Sequence, residues 1–241
     1  MKKRFSICFL GIDGSVKSTL AKYLCLELKN RQYDVNYLWW LKGDQSLVRR
    51  TLKAVGSSRY TKVEMDAKQQ KVDTSDRRLI NRVFKLLFPK ILIADYLRFG
   101  LIHAWLPSLV APDKVTIFDR FMYDVIVATS REFELTAAQR MKLFRLCSLL
   151  LPKPDLVFLI DVPPEVCYGR KKDEIASVKE SRDNLEAYHV LPPLLDQLTK
   201  GRIMRVDNTR DPQVVEEEIR ATTLELLEED GHYRTSGNYR D

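Results

Sequence analysis

An α/β fold, with a five-stranded and mostly parallel sheet covered by helices on both faces, is what this sequence predicts. Three observations predict it. Short apolar runs recur along the 241 residues. Segments with helical spacing separate them, which is the pattern of strands joined by right-handed crossovers. Two of the runs, Val115–Phe118 and Leu156–Ile160, stop directly on an aspartate, Asp119 and Asp161.

The elements follow in order. Phe5–Leu10 is a short apolar run closed by Gly11 and reads as a buried strand. Ser18–Asn30 carries Leu20, Tyr23, Leu24 and Leu28 at helical spacing. Val35–Trp40 is the second strand, followed by a helical segment at about 45–55 and a polar stretch, 56–78, expected to be a mobile insertion or an acceptor-side segment. A helical region at about 77–106 leads to the third strand, Val115–Phe118, and helices at 121–130 and 136–150 follow it. Leu156–Ile160 enters as a strand after Pro152-Lys153-Pro154, then come helices at 164–172 and 177–198. Arg202–Val206 is the fifth strand and 212–228 the last helix. The expected organisation is a single domain over 1–228 with a small lid at 168–182. The polar end, 229–241, is expected to be a disordered tail.

Composition allows a full core and a solvated surface, with 45% hydrophobic and 30% charged residues. The net charge of +7 favours anionic partners, but Lys and Arg are scattered rather than blocked, so neither nucleic acid nor a membrane is expected. The run from Phe99 to Pro112 lacks charge but is too short to span a bilayer, and Phe5–Leu10 is too short for a signal peptide. Cys8, Cys25, Cys147 and Cys167 have no metal-binding spacing and read as reduced, buried thiols, in keeping with a cytoplasmic protein.

The chemistry begins at Gly11-Ile12-Asp13-Gly14-Ser15-Val16-Lys17-Ser18-Thr19. This is one residue away from the phosphate-binding pattern G-x-x-x-x-G-K-[ST], because Val16 stands where that pattern has its second glycine. The context fits, since a strand precedes the loop and a helix opens at Lys17. In such a loop the backbone N–H groups cradle phosphate oxygens at the positive end of the helix. Lys17 would reach the β- and γ-phosphates of a nucleotide, and Ser18 would ligate Mg²⁺. Asp119-Arg120 lies at the carboxyl end of a strand, where open α/β sheets bind ligands. The aspartate suits Mg²⁺ through water and the arginine suits a phosphate, although the two also fit an ordinary surface pair. The basic Arg170-Lys171-Lys172 closes a predicted helix, where cations commonly do no more than complement the helix dipole.

Taken together, GIDGSVKST, FDRF, PDLVFLIDVPPE with its basic sequel, and RIMRVDNTRDPQVVEEEI resemble the thymidylate kinases and thymidylate-kinase-like proteins, a branch of the P-loop nucleoside monophosphate kinases, over about residues 5–225. The resemblance implies a three-layer P-loop NTPase fold. It implies transfer of the γ-phosphoryl of ATP to a nucleoside monophosphate in nucleotide biosynthesis, with dTMP the default acceptor and Mg²⁺ the cofactor. By the same resemblance Asp13, Lys17, Arg120 and Arg170 are the catalytic set, and Gly11 to Thr19 with Asn208 and Arg210 hold the nucleotide. Arg49, Arg50, Tyr96, Arg120 and Asp124 fall on the acceptor side, and Ser18 and Asp119 on the metal. Gly14 stands where an arginine can follow the loop aspartate, so the cation would come from the lid. A homodimer through helices near the acceptor side is a further expectation, to which Leu86–Leu109 is apolar enough to contribute.

The base-reading positions depart from the family. Tyr96 and Leu92 stand at its arginine and phenylalanine, Asp124 at its serine, and Trp39-Trp40-Leu41-Lys42-Gly43-Asp44 lacks its Glu-Pro. The acceptor therefore stays open, and Trp39, Trp40, Tyr96 and Phe99 suit either stacking on it or the core. Two other readings stand beside the kinase. One is a nucleotide-binding protein of the same fold with impaired catalysis, because Val16 is bulky and stiff where a phosphate must approach. The other, weaker, is a P-loop protein acting on nucleic acid or membranes. Val16 itself either crowds the phosphates or packs beneath the sheet.

Overall fold

Every residue of β1, Phe5–Leu10, is buried, as a central parallel strand covered on both faces requires. The computed structural model describes residues 4–39, 90–102, 106, 114–132, 135–151, 153–170, 177–189 and 202–231. The predicted helix at 45–55, the 56–78 segment, Arg49, Arg50, Trp40, Lys171, Lys172 and residues 232–241 lie outside them. The strands are β1, β2 (Val35–Trp39), β3 (Val115–Asp119), β4 (Leu156–Asp161) and β5 (Arg202–Asp207). The helices are α1 (Lys17–Asn30), α2 (90–100), α3 (Met122–Glu132), α4 (Ala137–Leu150), α5 (Pro164–Arg170), α6 (Val178–His189) and α7 (Pro212–Glu229).

The five strands form one parallel sheet in the order β2-β3-β1-β4-β5. The chain steps outward from β1 to the β2 edge, then moves back through β3 to β4 and β5. Right-handed crossovers in opposite directions place their helices on opposite faces of the sheet. Accordingly α1 packs with α7, while α3 packs against α4 and α6, and α5 against α6. The predicted α/β P-loop kinase architecture is the one observed. Among the described residues no helix is long and apolar enough to cross a membrane.

The register sets the site. Phe9 of β1 pairs with Asp119 of β3, and Trp39 of β2 pairs with Asp119 from the other side. The carboxyl ends of β1 and β3 thus lie side by side at the point where the chain reverses its direction across the sheet, which is the crevice that ligands use in open α/β folds.

Local chemistry explains where the helices start. Thr136 and Gln139 form a reciprocal capping box before α4. Asp211 caps α7 through Gln213 N, with Pro212 in the first turn, where its missing N–H removes no helical bond. By contrast, α1 has no side-chain cap: the residue that precedes it at the capping position is Val16. All four cysteines are buried and unpaired. Burial pushes the Cys147 thiol up to about 12, which keeps it protonated and unreactive.

Candidate active site

The loop between β1 and α1 is held by few backbone hydrogen bonds. Ser15 N donates to Ile12 O at 3.2 Å, and Thr19 N and Leu20 N both donate to Val16 O. The N–H groups of Gly14, Val16, Lys17 and Ser18 make no backbone hydrogen bond among the described residues. An uncapped helix N-terminus with open N–H groups is an anion site in waiting.

Two glycines are forced. Gly14 has φ 86°, and a Cβ there would meet Cys167 O at 2.7 Å; Gly11 has φ 150°, and a Cβ there would meet Ile160 O at 2.7 Å. Neither backbone oxygen can move aside cheaply, because β4 carries Ile160 and α5 carries Cys167.

Val16 is the exception to this economy. Its φ of 68° and ψ of 18° place it in the left-handed region, which the missing glycine would occupy freely and a β-branched residue occupies under strain. Its side chain is 36% exposed, so packing beneath the sheet, one of the two positions open from the sequence, does not occur. The isopropyl group therefore lies at the surface, at the N-terminus of α1.

Lys17 is 4% exposed, and its ammonium donates to Ile12 O at 2.7 Å with Asp13 Oδ1 at 3.8 Å. Burial, followed by the neighbouring Arg120, lowers its pKa to about 8, against the opposing pull of Asp124, Asp13 and Asp119. Ser18 Oγ donates to Asp119 Oδ1 at 3.0 Å, and Tyr37 OH donates to Asp119 Oδ2 at 2.6 Å. The Arg120 guanidinium pairs with Asp13. Burial works to lower its pKa, but Asp13, Asp124 and Tyr188 outweigh that and raise it, so it remains a cation.

The Ser18–Asp119 pair is a test of whether Mg²⁺ fits. Both groups offer hard oxygen donors, and among the described residues no cluster of three or more His, Cys, Asp or Glu could hold a metal alone. One hydroxyl and one carboxylate match a Mg²⁺ that keeps its waters and is shared with a phosphate, rather than one caged by protein.

Several residues singled out from the sequence take more specific places. Asn208 holds the loop itself: its amide donates to Ser15 O at 2.9 Å and its backbone N to Asp161 O at 3.0 Å. Asn208→Ala removes the donor from a buried carbonyl and is expected to destabilise the fold by about 1–3 kcal/mol while raising the Kd for ATP; thermal melts and calorimetry read the two effects. Arg210 pairs with Glu218 and donates to Asp207 O at 3.1 Å. Arg170 Nη1 lies 3.4 Å from Gly14 O, at the end of α5. Asp124 is buried with both oxygens engaged, by Phe121 N and by Tyr188 OH. Tyr96 and Phe99 are buried in the core, as is Leu92, whereas Trp39 is 45% exposed at the end of β2.

Tyr37 and Tyr188 join the site without any signal in a motif. Tyr37 was findable in principle: it sits two residues before Trp39 on the strand beside Asp119, on the same pleat.

No protein-family model matches the chain. It is similar to a protein from Archaeoglobus fulgidus named probable thymidylate kinase, with 27% identity over 219 residues, spanning 90% of this chain and 93% of the relative.

Proposed function

We propose that this chain is an ATP-dependent phosphotransferase that moves the γ-phosphoryl of ATP onto the phosphate of a nucleoside monophosphate, with dTMP the default acceptor. One observation carries the reading. The open N–H groups of the 11–19 loop, Lys17 and Ser18 sit directly beside Asp119 and Arg120 at the carboxyl ends of β1 and β3. The similarity to the archaeal protein, which runs nearly the full length of both chains, supports a nucleotide kinase.

The reaction needs little covalent help from the protein. The bond between the β,γ-bridging oxygen and Pγ breaks, and a bond forms from an acceptor phosphate oxygen to Pγ. That oxygen is already ionised, so no strong base is required; the work is alignment and neutralisation of two anions. Lys17 would leave Ile12 O to bridge the β- and γ-phosphates. Arg120 would exchange Asp13 for the acceptor phosphate, as a planar fork suited to such an oxyanion. Ser18 and Asp119 would hold Mg²⁺, which supplies charge neutralisation when bound. Arg170 would bring a cation from the lid side to the transferring phosphoryl group.

Arg170→Ala is therefore expected to lower kcat by about 10²–10³, the usual effect of losing one preorganised donor, with the Kd for ATP changed less than threefold or so. Steady-state kinetics and calorimetry separate the two, and an unchanged kcat would remove Arg170 from the mechanism. The reading as a whole is tested by phosphoryl transfer from ATP across a panel of nucleoside monophosphates, run on this chain and on Val16→Gly. Transfer to none of them by either protein would sink it.

A second reading, a nucleotide-binding protein of this fold without turnover, is favoured by one feature, the strained and outward-facing Val16. It is the better account if ATP binds and no acceptor is phosphorylated. A kinase for a different small phosphorylated acceptor shares the phosphate chemistry and differs only where Tyr96 and Leu92 are withdrawn into the core.

A further inference from the structure

Arg120 occupies a left-handed conformation, φ 68°, unusual for a residue with a long side chain. Such a conformation persists only where the surroundings fix it on both sides. On one side Arg120 N donates to Phe9 O at 3.3 Å, fastening the turn to β1. On the other, the next residue, Phe121, is fastened by Asp124: Phe121 N donates to Asp124 Oδ2 at 2.8 Å, and Asp124 N returns a bond to Phe121 O at 3.0 Å.

Asp124 is held in its turn. Its other oxygen accepts a 2.5 Å hydrogen bond from Tyr188 OH, across 64 residues of sequence. The two side chains lie at 1% and 5% exposure, between α3 and the last turn of α6. From there the chain of contacts reaches the opposite side of the site. Arg182 of α6 pairs with Glu165 of α5 at 3.0 Å, and α5 ends in Arg170, whose guanidinium lies by Gly14 O.

We propose that the Tyr188–Asp124 hydrogen bond is a positioning device, resting on the phosphotransferase reading: it locks the Arg120-Phe121 turn so that Arg120 faces the acceptor phosphate, and it seats the α5–α6 pair against that turn. Neither residue touches a substrate; both act through Arg120. Burial, and then the charge of Asp124, hold the Tyr188 phenol well above its ordinary pKa, so it remains a donor throughout the working range. A phenylalanine would fill the same volume without that bond, which makes the hydroxyl separable from the packing.

The test uses Tyr188→Phe in the full chain, in both the parent and the Val16→Gly background, with Thr223→Val in α7, whose buried hydroxyl donates to Ile219 O, as a control for the cost of losing a buried, bonded hydroxyl. Tyr188→Phe is expected to lower kcat/KM for the acceptor by about 10- to 100-fold, the scale of a small misplacement of a positioning group. The Kd for ATP should stay within about twofold, and the Arg120 Nε–H resonance should exchange with water at least about tenfold faster, as expected for a freed guanidinium. Asp124→Asn, which keeps the shape and an acceptor oxygen, is read in the same way. Unchanged acceptor kinetics together with an unchanged Arg120 resonance would overturn the proposal. So would equal losses of ATP and acceptor affinity, which signal general loosening. If neither background transfers phosphate, the kinase reading fails, and the Arg120 resonance alone decides whether the pair positions that side chain.

Discussion

Replacing Val16 with glycine is expected to do two separable things: tighten ATP about five- to a hundredfold, and leave the fold as stable or up to about 2 kcal/mol more stable. The two arise from different properties of the same side chain. Val16 already holds the left-handed conformation with no nucleotide present. Its backbone strain, about 1–3 kcal/mol, is therefore in the folded state whether or not ATP is bound, and relieving it changes stability rather than affinity. Glycine gives back about 0.5–1 kcal/mol through the greater freedom of its unfolded chain, which leaves the net gain modest. Affinity responds instead to bulk. The isopropyl group stands exposed at the start of α1 beside the N–H groups that a phosphate would use, and crowding there costs about 1–3 kcal/mol, the typical overpacking range. Val16→Ala keeps the strained Cβ and removes only the two methyls, so it should recover most of the affinity and little of the stability. Calorimetric titration with ATP and thermal melts on the three proteins check both. Equal ATP affinity in all three would show that the valine is accommodated, and would withdraw the main support for a protein that binds without turnover.

What the sequence disclosed, and what it hid, follows from the range over which each feature is specified. Phe5–Leu10 and Leu156–Ile160 were plain because a parallel strand buried on both faces must be predominantly apolar, whereas Val35–Trp39 lies at a sheet edge, is only partly buried and carries Asn36. The edge strand Arg202–Asp207 is largely solvated and was found from its place between two helices rather than from its own pattern. Lys17, Ser18, Asp119 and Arg120 were legible because the loop and the strand end dictate those residue types locally. Asn208 was singled out from the sequence, but its hydrogen bond to Ser15 O was not visible there, because that partner is 193 positions away. Tyr188 left no trace for the same reason, and Tyr37 was marked only by sharing a strand face with Trp39. Each is one aromatic residue in an ordinary strand or helix, and its meaning lies in a carboxylate 82 or 64 positions distant. Tyr96 shows the converse: alignment with a base-reading position drew it toward the acceptor, and the packing of α2 put it in the core. Val16 was visible as a departure from the loop pattern, but its left-handed backbone was not, because the rest of the loop imposes it.

Lys17→Met is expected to abolish nucleotide binding and turnover, and at the same time to stabilise the fold at neutral pH. The first effect follows from charge. An ammonium between the β- and γ-phosphates in a water-poor site is the principal protein cation there, and its loss should lower kcat/KM by at least about 10³. The second follows from the pKa of about 8, below the ordinary lysine value of 10.5. That shift already contains the attraction of Asp13, Asp119 and Asp124, and burial with Arg120 still outweighs it. The folded state therefore disfavours this charge relative to the unfolded chain. Below pH 8 the lysine is protonated in both states and the full penalty is present. Between about pH 8 and 10.5 the folded protein has released the proton while the unfolded chain keeps it, so the unfolded state binds more protons and stability rises with pH across that window. Methionine has nearly the same length and no charge, so the variant should be more stable than the parent by about 1–3 kcal/mol at pH 7, with the difference shrinking as the pH passes through 8 to 10. Paired denaturant titrations at pH 7 and pH 9.5 read it directly. The same proton appears in binding: a phosphate demands the ammonium form, so ATP binding at pH 8.5 should take up a proton, and affinity should weaken by up to about tenfold per unit above pH 8 in the parent. Calorimetry in two buffers of different ionisation enthalpy measures that uptake. A lysine already charged at pH 8.5 would take up none, and Lys17→Met would then be no more stable than the parent, so both measurements test the same claim, that this loop keeps its cation uncomfortable until a phosphate arrives.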